Sequence, residues 1–239
     1  MTGSRLLALD LGTTGVRALL VDGEGKALAH AYRPLATRFP EPGRVEQDPE
    51  EMWQRSVEVL QEALSHTGAE GVAALGVVTQ RSTTVAWDAA SGAALCPALG
   101  WQDKRTQARA DELAERGIPI TTLPSATRFE WWLRHEPVVQ QAAREGRLCF
   151  GGPDAWLTYR LTGGAVNVTV RGMPMILLTH AFHLKTYNDV TADGLPTVGV
   201  RFEDDQSPFL SREGTLAATL RARDEVLAGF MDDLNGFVA

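Results

Sequence analysis

Two apolar runs, Leu6-Leu7-Ala8-Leu9-Asp10-Leu11 and Val16-Arg17-Ala18-Leu19-Leu20-Val21, stand only four residues apart, across Gly12-Thr13-Thr14-Gly15. So short a connection leaves no room for a helix, so the chain must begin as an antiparallel hairpin. Gly23-Glu24-Gly25 turns the chain again and residues 26–32 return as a third strand, giving a β-meander ahead of the first helix. A dinucleotide-binding fold instead passes from its first strand through a Gly-rich turn directly into a helix, and no Gly-x-Gly-x-x-Gly or Gly-Lys-Ser/Thr loop occurs here. The first turn offers backbone N–H groups and two threonine hydroxyls to an anion, with the Asp10 carboxylate beside them for an accompanying metal. The same residues suit an ordinary hairpin turn, and from the turn alone both readings stand.

Residues 34–47, with Pro40, Pro42 and Gly43, read as an irregular connection. A helix is predicted to follow, with Asp48 as cap, Pro49 at the first helical position and Glu51 completing a capping box. Its apolar stripe is Trp53, Val57, Leu60 and Leu64, and it ends near Thr67-Gly68. Val72 to Thr79 reads as a mostly buried strand that delivers Gln80-Arg81-Ser82 to its carboxyl end, where open α/β sheets place ligand contacts. A hairpin over 85–88 and 98–102 leads to Trp101-Gln102-Asp103-Lys104-Arg105 and a helix over 106–116. Further helices are predicted over 127–135 and 138–144, and a last one capped by Asp154 and stopped by Gly163-Gly164. Trp131 and Trp156 are assigned to packing.

The balance of 23 basic against 30 acidic residues, a net charge of -7, argues against a general nucleic-acid surface. The two cysteines, Cys96 and Cys149, lie outside any metal-ligand spacing. No apolar stretch reaches membrane-spanning length and no export signal is evident, so the expected setting is the cytoplasm, with no membrane partner.

Taken together, Asp10-Leu11-Gly12-Thr13-Thr14 with Arg17, Thr79-Gln80-Arg81, Trp101-Gln102-Asp103-Lys104-Arg105, Arg128-Phe129-Glu130-Trp131-Trp132-Leu133 and Asp154-Ala155-Trp156-Leu157 resemble the N-terminal domain of the FGGY carbohydrate kinases over about residues 5–169. The resemblance implies an α/β fold of the actin-like, ribonuclease-H-like type, in which ATP, Mg2+ and a sugar or polyol meet in a cleft against a second domain. It places Asp10 at the metal, Gly12, Thr13, Thr14 and Arg17 at the phosphate, and Gln80, Arg81, Trp101 and Asp103 at the substrate. Ser82 stands where glycerol kinases of the family carry a glutamate, Leu123 where they carry a tyrosine, and Arg128 where the motif has lysine. The substrate implied is therefore a sugar or polyol, without selecting glycerol.

The Gly-Asp-Gln motif that carries the family's general base does not follow Val168-Thr169; the nearest string is Glu203-Asp204-Asp205-Gln206. The expectation is an incomplete kinase domain over 1–169 without its nucleotide-binding partner domain, with little turnover by the isolated chain. A tail of different character follows over 170–239, with an amphipathic helix through Leu216, Leu220, Leu227, Phe230 and Leu234. That tail resembles a segment of flagellar hook-associated protein 1, which implies a structural or interaction role through homo-oligomers or a flagellar-type partner. His180, His183 and Asp189 are weighed as a metal pair and set aside for want of a third ligand.

Overall fold

The computed structural model describes residues 4–65, 67–116, 121–123 and 125–165, together with the backbone of strands β9 (Lys185–Val190) and β10 (Pro196–Arg201), which pair antiparallel. The metal pair weighed at His180 and His183 and the amphipathic helix of the tail lie outside the described residues. Two compact units divide the chain: Met1–Arg105 with Glu145–Thr169, and Thr106–Arg144 with Val170–Ala239.

The first unit is built on a four-stranded sheet. Strands β1 (Arg5–Leu11), β2 (Gly15–Val21) and β3 (Ala27–Pro34) form the expected meander, and β5 (Val72–Thr79) lies parallel to β1 on its other side. Alternation sends Leu7, Leu9, Leu11, Val16, Ala18 and Leu20 to one face, all buried in the core, while Asp10 and Arg17 stand in register opposite each other on the other face.

Helix α1 (Pro49–Leu64) packs against β2 and β3. Its buried face is Met52, Ser56, Val59, Leu60 and Ala63; of the predicted stripe, Leu60 is buried and Trp53 and Leu64 pack half-buried against the core, with the Arg160 guanidinium 4.5 Å from the Trp53 ring centre. Ser56 is accommodated inside because its hydroxyl donates to the Met52 carbonyl at 2.7 Å. The Asp48 cap forms, accepting from the Glu50 N–H at 2.9 Å, whereas Glu51 reaches toward Arg55 at 3.9 Å. After Leu64 the chain turns at Gly68, which adopts φ +63° and donates to the Leu64 carbonyl at 2.8 Å.

Strand β5 differs from its sequence reading. Val78 is 62% exposed and Leu75 38%, because β5 ends the sheet of described strands and pairs only with β1. The hairpin expected over 85–88 and 98–102 forms in part: Thr84 and Leu99 exchange both backbone hydrogen bonds at 3.0 Å, and the Leu95 N–H donates to the Ala86 carbonyl at 2.9 Å. β6 (Val85–Asp88) also pairs with β8 (Leu148–Gly151), and β7 (Ala98–Leu99) with β4 (Glu46–Gln47), so each arm gains a long-range partner besides the local one. Helix α5 (Pro153–Leu161) starts from Gly152, with Pro153 at its first position and Asp154 inside the first turn instead of capping it. Trp156 is fully buried, its indole N–H donating to the Gly92 carbonyl at 3.0 Å.

In the second unit, helices α2 (Gln107–Glu115), α3 (Ser125–His135) and α4 (Pro137–Arg144) match the predicted positions. Trp132 and Phe129 are the buried aromatics of α3; Trp131 is half-buried beside His135. Arg109 and Arg134 both pair with the buried Glu130 carboxylate, at 2.9 and 2.6 Å.

Candidate functional site

The 12–14 turn carries the clearest chemical potential. Gly12 N–H donates to the Gly15 carbonyl at 2.9 Å and closes the turn, leaving the Thr13 and Thr14 N–H groups without an acceptor among the described residues. The turn's carbonyl groups, by contrast, are held from the protein side. Gln47 Nε2 donates to the Thr13 carbonyl at 2.9 Å, while the Leu35 N–H, at 3.0 Å, and the Tyr32 hydroxyl, at 3.2 Å, donate to that of Thr14. A Cβ at Gly15 would lie 2.4 Å from the outer end of the half-exposed Tyr32 ring, so any larger residue here requires that ring to shift. A loop with acceptors tied down and donors open is suited to an anion.

Asp10, exposed at the end of β1, makes no hydrogen bond or ion pair among the described residues. Arg17, opposite it on β2, places its guanidinium 5.7 Å from the centre of the Tyr32 ring. No cluster of three or more ligating side chains exists among the described residues. A lone open carboxylate beside an anion-ready turn nevertheless fits Mg2+, which is held by one or two carboxylates, with water and substrate phosphates completing its shell.

The end of β5 supplies the facing group of residues. Gln80 N–H donates to the Leu11 carbonyl at 2.7 Å, and its side chain donates to Gln47 Oε1 at 2.6 Å. Arg81 is exposed and has no partner among the described residues. Ser82, buried, is the only non-glycine described residue with positive φ, at 63°, a conformation costing about 1–2 kcal/mol that is retained where the surroundings enforce it. Trp101 is 40% exposed, and its indole Nε1 donates to Thr13 Oγ1 at 3.1 Å, so a substrate-side candidate touches the phosphate-side turn directly.

Asp103 is placed differently from its expected role. Its side chain is 0% exposed. Oδ2 accepts from the Val45 N–H at 2.7 Å and Arg105 Nη2 at 2.9 Å, and Oδ1 from the Arg105 N–H and Nε, both at 2.9 Å. Arg105 also reaches Glu46 at 2.6 Å. Burial works against the Arg105 charge, but the hydrogen bonds it donates to Asp103 and then Glu46 outweigh it and raise its pKa above the ordinary value. Asp103 therefore holds this loop together and presents no oxygen to a ligand in this structure. Of the positions that depart from the glycerol-kinase pattern, Leu123 is 43% exposed, and Arg128 is buried, with its Nη1 3.3 Å from the Leu123 carbonyl.

Sequence reasoning missed Gln47 and Tyr32. Gln47 was assigned to an irregular connection, and no local pattern marks a buried carboxamide; its position just before the Asp48-Pro49 helix start was the only cue.

The profile of the FGGY family of carbohydrate kinases, N-terminal domain, matches residues 5–186 and so runs past the change of composition near residue 170. Glycerol kinase of Aromatoleum aromaticum is 41% identical over 181 residues, which cover 71% of this chain and 36% of that protein. Glycerol kinase of Thermus brockianus is 40% identical over 193 residues, covering 76% and 39%. The chain thus spans under two-fifths of the length of these curated relatives. Among solved structures, Plasmodium falciparum glycerol kinase with ADP superimposes with a TM-score of 0.63 at 19% identity, covering 83% of this chain and 49% of that one, which identifies the fold as actin-like, ribonuclease-H-like α/β. The meander, the open 12–14 turn and the profile match agree, and the chain belongs to the FGGY family of carbohydrate kinases.

Proposed function

We propose that this chain forms the substrate and phosphate wall of an ATP-dependent kinase that phosphorylates a hydroxyl of a small polyol or sugar. The carrying observation is the 12–14 turn, with two open N–H groups beside the unpartnered Asp10. Phosphoryl transfer is chiefly a matter of positioning and of neutralising charge on the phosphate oxygens. The Thr13 and Thr14 N–H groups and hydroxyls meet the transferred phosphoryl group, and Asp10 would hold Mg2+, which would supply charge neutralisation at the phosphate oxygens. Exposed Arg81 and half-exposed Trp101 receive the polyol, with Gln80 fixed behind them. Asp103 acts on the substrate only through the loop it secures. Glycerol is the first candidate, from the relatives' names, although Ser82 and Leu123 withdraw two groups that would bind its hydroxyls. The cytoplasm, where ATP is abundant, is the expected compartment.

These 239 residues contain no Gly-Asp-Gln string, so we expect little sugar-dependent ATP turnover from this chain alone. Isothermal titration against glycerol and a panel of pentitols, ketopentoses and gluconate tests the reading: one member should bind, and Arg81→Ala should weaken it about tenfold, the scale of one charged hydrogen bond. Absence of binding across the panel, or binding indifferent to Arg81→Ala, refutes it. A second reading gives the tail over 170–239 an interaction role of flagellar hook-associated type, with a domain boundary near residue 170, although the family match runs on to residue 186. Deleting residues 187–239 without changing the oligomeric state seen by light scattering would refute an oligomerising tail.

A further inference from the structure

We propose that Gln47 is a positioning residue that aims the 12–14 turn at its ligand, an inference that rests on the phosphate reading above. Gln47 is 1% exposed, and its carboxamide is used at both ends. Nε2 donates to the Thr13 carbonyl at 2.9 Å and lies 3.3 Å from Thr37 Oγ1, while Oε1 accepts from Gln80 Nε2 at 2.6 Å. The assignment of the two ends follows from chemistry, because a carbonyl only accepts and the atom facing it must therefore be the nitrogen.

The consequence comes from peptide geometry. In a planar trans peptide the C=O and the following N–H point in opposite directions. Holding the Thr13 carbonyl toward Gln47 therefore turns the Thr14 N–H away from it, and Thr14 is exposed with that N–H unaccepted among the described residues. The bond to Gln80 sets the second dimension, tying this peptide to the strand end that bears Arg81. Glutamine is the residue type this requires: a carboxylate would face the Thr13 oxygen with no proton to give, and an apolar side chain would leave a buried acceptor and a buried donor unmet.

The test compares Gln47→Glu and Gln47→Met with wild type in the full chain by amide NMR. Sulfate, a dianion across the range used, stands in for the phosphoryl group. In wild type, sulfate should shift the Thr14 N–H resonance. In Gln47→Glu at pH about 8, the dipolar coupling that reports the Thr13–Thr14 peptide orientation should change, and sulfate should bind about tenfold more weakly. On acidification to pH about 5 the buried glutamate takes up a proton, becomes a donor again, and both readouts should return to wild-type values. Gln47→Met should stay altered at both pH values. None of the groups bonded to Gln47, namely Thr13, Thr37 and Gln80, titrates in this range, so the wild-type coupling should be flat. Recovery with pH inside one variant separates orientation from a folding defect. Variants whose couplings and sulfate response match wild type at both pH values overturn the inference. A wild-type turn that ignores sulfate, while the couplings respond as stated, refutes the phosphate reading and upholds the orienting role of Gln47.

Discussion

The 12–14 turn and the 100–105 loop lie in the same unit, touch through the Trp101–Thr13 hydrogen bond, and are both rich in polar groups. Their polar groups are used in opposite ways. In the loop, both Asp103 oxygens and the Arg105 guanidinium are consumed by internal bonds at 2.6 to 2.9 Å and shielded from solvent. In the turn, the Gly12 N–H and the Thr13 and Thr14 carbonyls are consumed, and the Thr13 and Thr14 N–H groups stay open beside Asp10. A charged residue in a signature motif can thus serve as scaffold, whereas function falls to groups that the fold positions and leaves unsatisfied.

Removing the scaffold carboxylate should give the largest effect. Asp103→Ala leaves the Val45 N–H without its acceptor and Arg105 with Glu46 as its remaining carboxylate, and should cost about 3–5 kcal/mol in urea unfolding, the scale of breaking a buried ion pair. A loss below about 1 kcal/mol would erase the distinction between the two regions. Next comes Gly15→Ala on the turn side, where the added Cβ would lie 2.4 Å from Tyr32. Destabilisation of about 1–3 kcal/mol is expected, as for overpacking. Tyr32→Ala should rescue part of it in a double-mutant cycle, since it removes the clashing ring. An unrelieved double mutant would mean that the glycine is needed for another reason.

The site arginine should behave in the opposite way to Asp103. Arg81 is exposed and unpartnered among the described residues, so Arg81→Ala should change stability by no more than about 0.5 kcal/mol while weakening polyol binding. A large stability loss would make Arg81 scaffold as well.

The smallest effect lies in the second unit. The hydrogen bond from Arg109, followed by its charge, holds the exposed Glu112 carboxyl below its ordinary value of 4.5. A depressed carboxylate contributes stability that is present above the ordinary value and lost as pH falls through the lowered one. Glu112→Gln, which removes that carboxylate and leaves the Arg109–Glu130 pair in place, should therefore flatten that part of the acid limb of the stability curve, measured by urea unfolding across the acid range.

Much of the first unit was legible because its determinants are local. Leu7, Leu9 and Leu11 alternate along one strand, Asp48-Pro49 starts a helix, and Gly12-Thr13-Thr14 forces a tight turn, each within a few residues of chain. The turn's capacity for an anion was likewise visible in its residue types. The stripe of α1 was legible only in part: Leu60 is buried and Trp53 and Leu64 pack against the core, but Met52, Val59 and Ala63 are as apolar, and only the sheet beneath sets the centre of the buried face. β5 reads as buried from its run of Val, Ala and Leu, yet a strand's composition does not say whether a neighbour covers its outer edge.

The sequence by itself determined the meander, the helix starts, the family and the turn that can receive a phosphate. Only the tertiary structure decided that Asp103 is bonded internally, that Arg81 has no partner among the described residues, and that the Gln47 carboxamide lies against the Thr13 carbonyl. These are decided by bonds that span 34 residues from Gln47 to Thr13, 58 from Val45 to Asp103 and 88 from Trp101 to Thr13. The physical reason is that periodicity and turn chemistry act over a few bonds of chain. Whether a polar group ends satisfied or available depends on which distant residues the fold brings within about 3 Å of it.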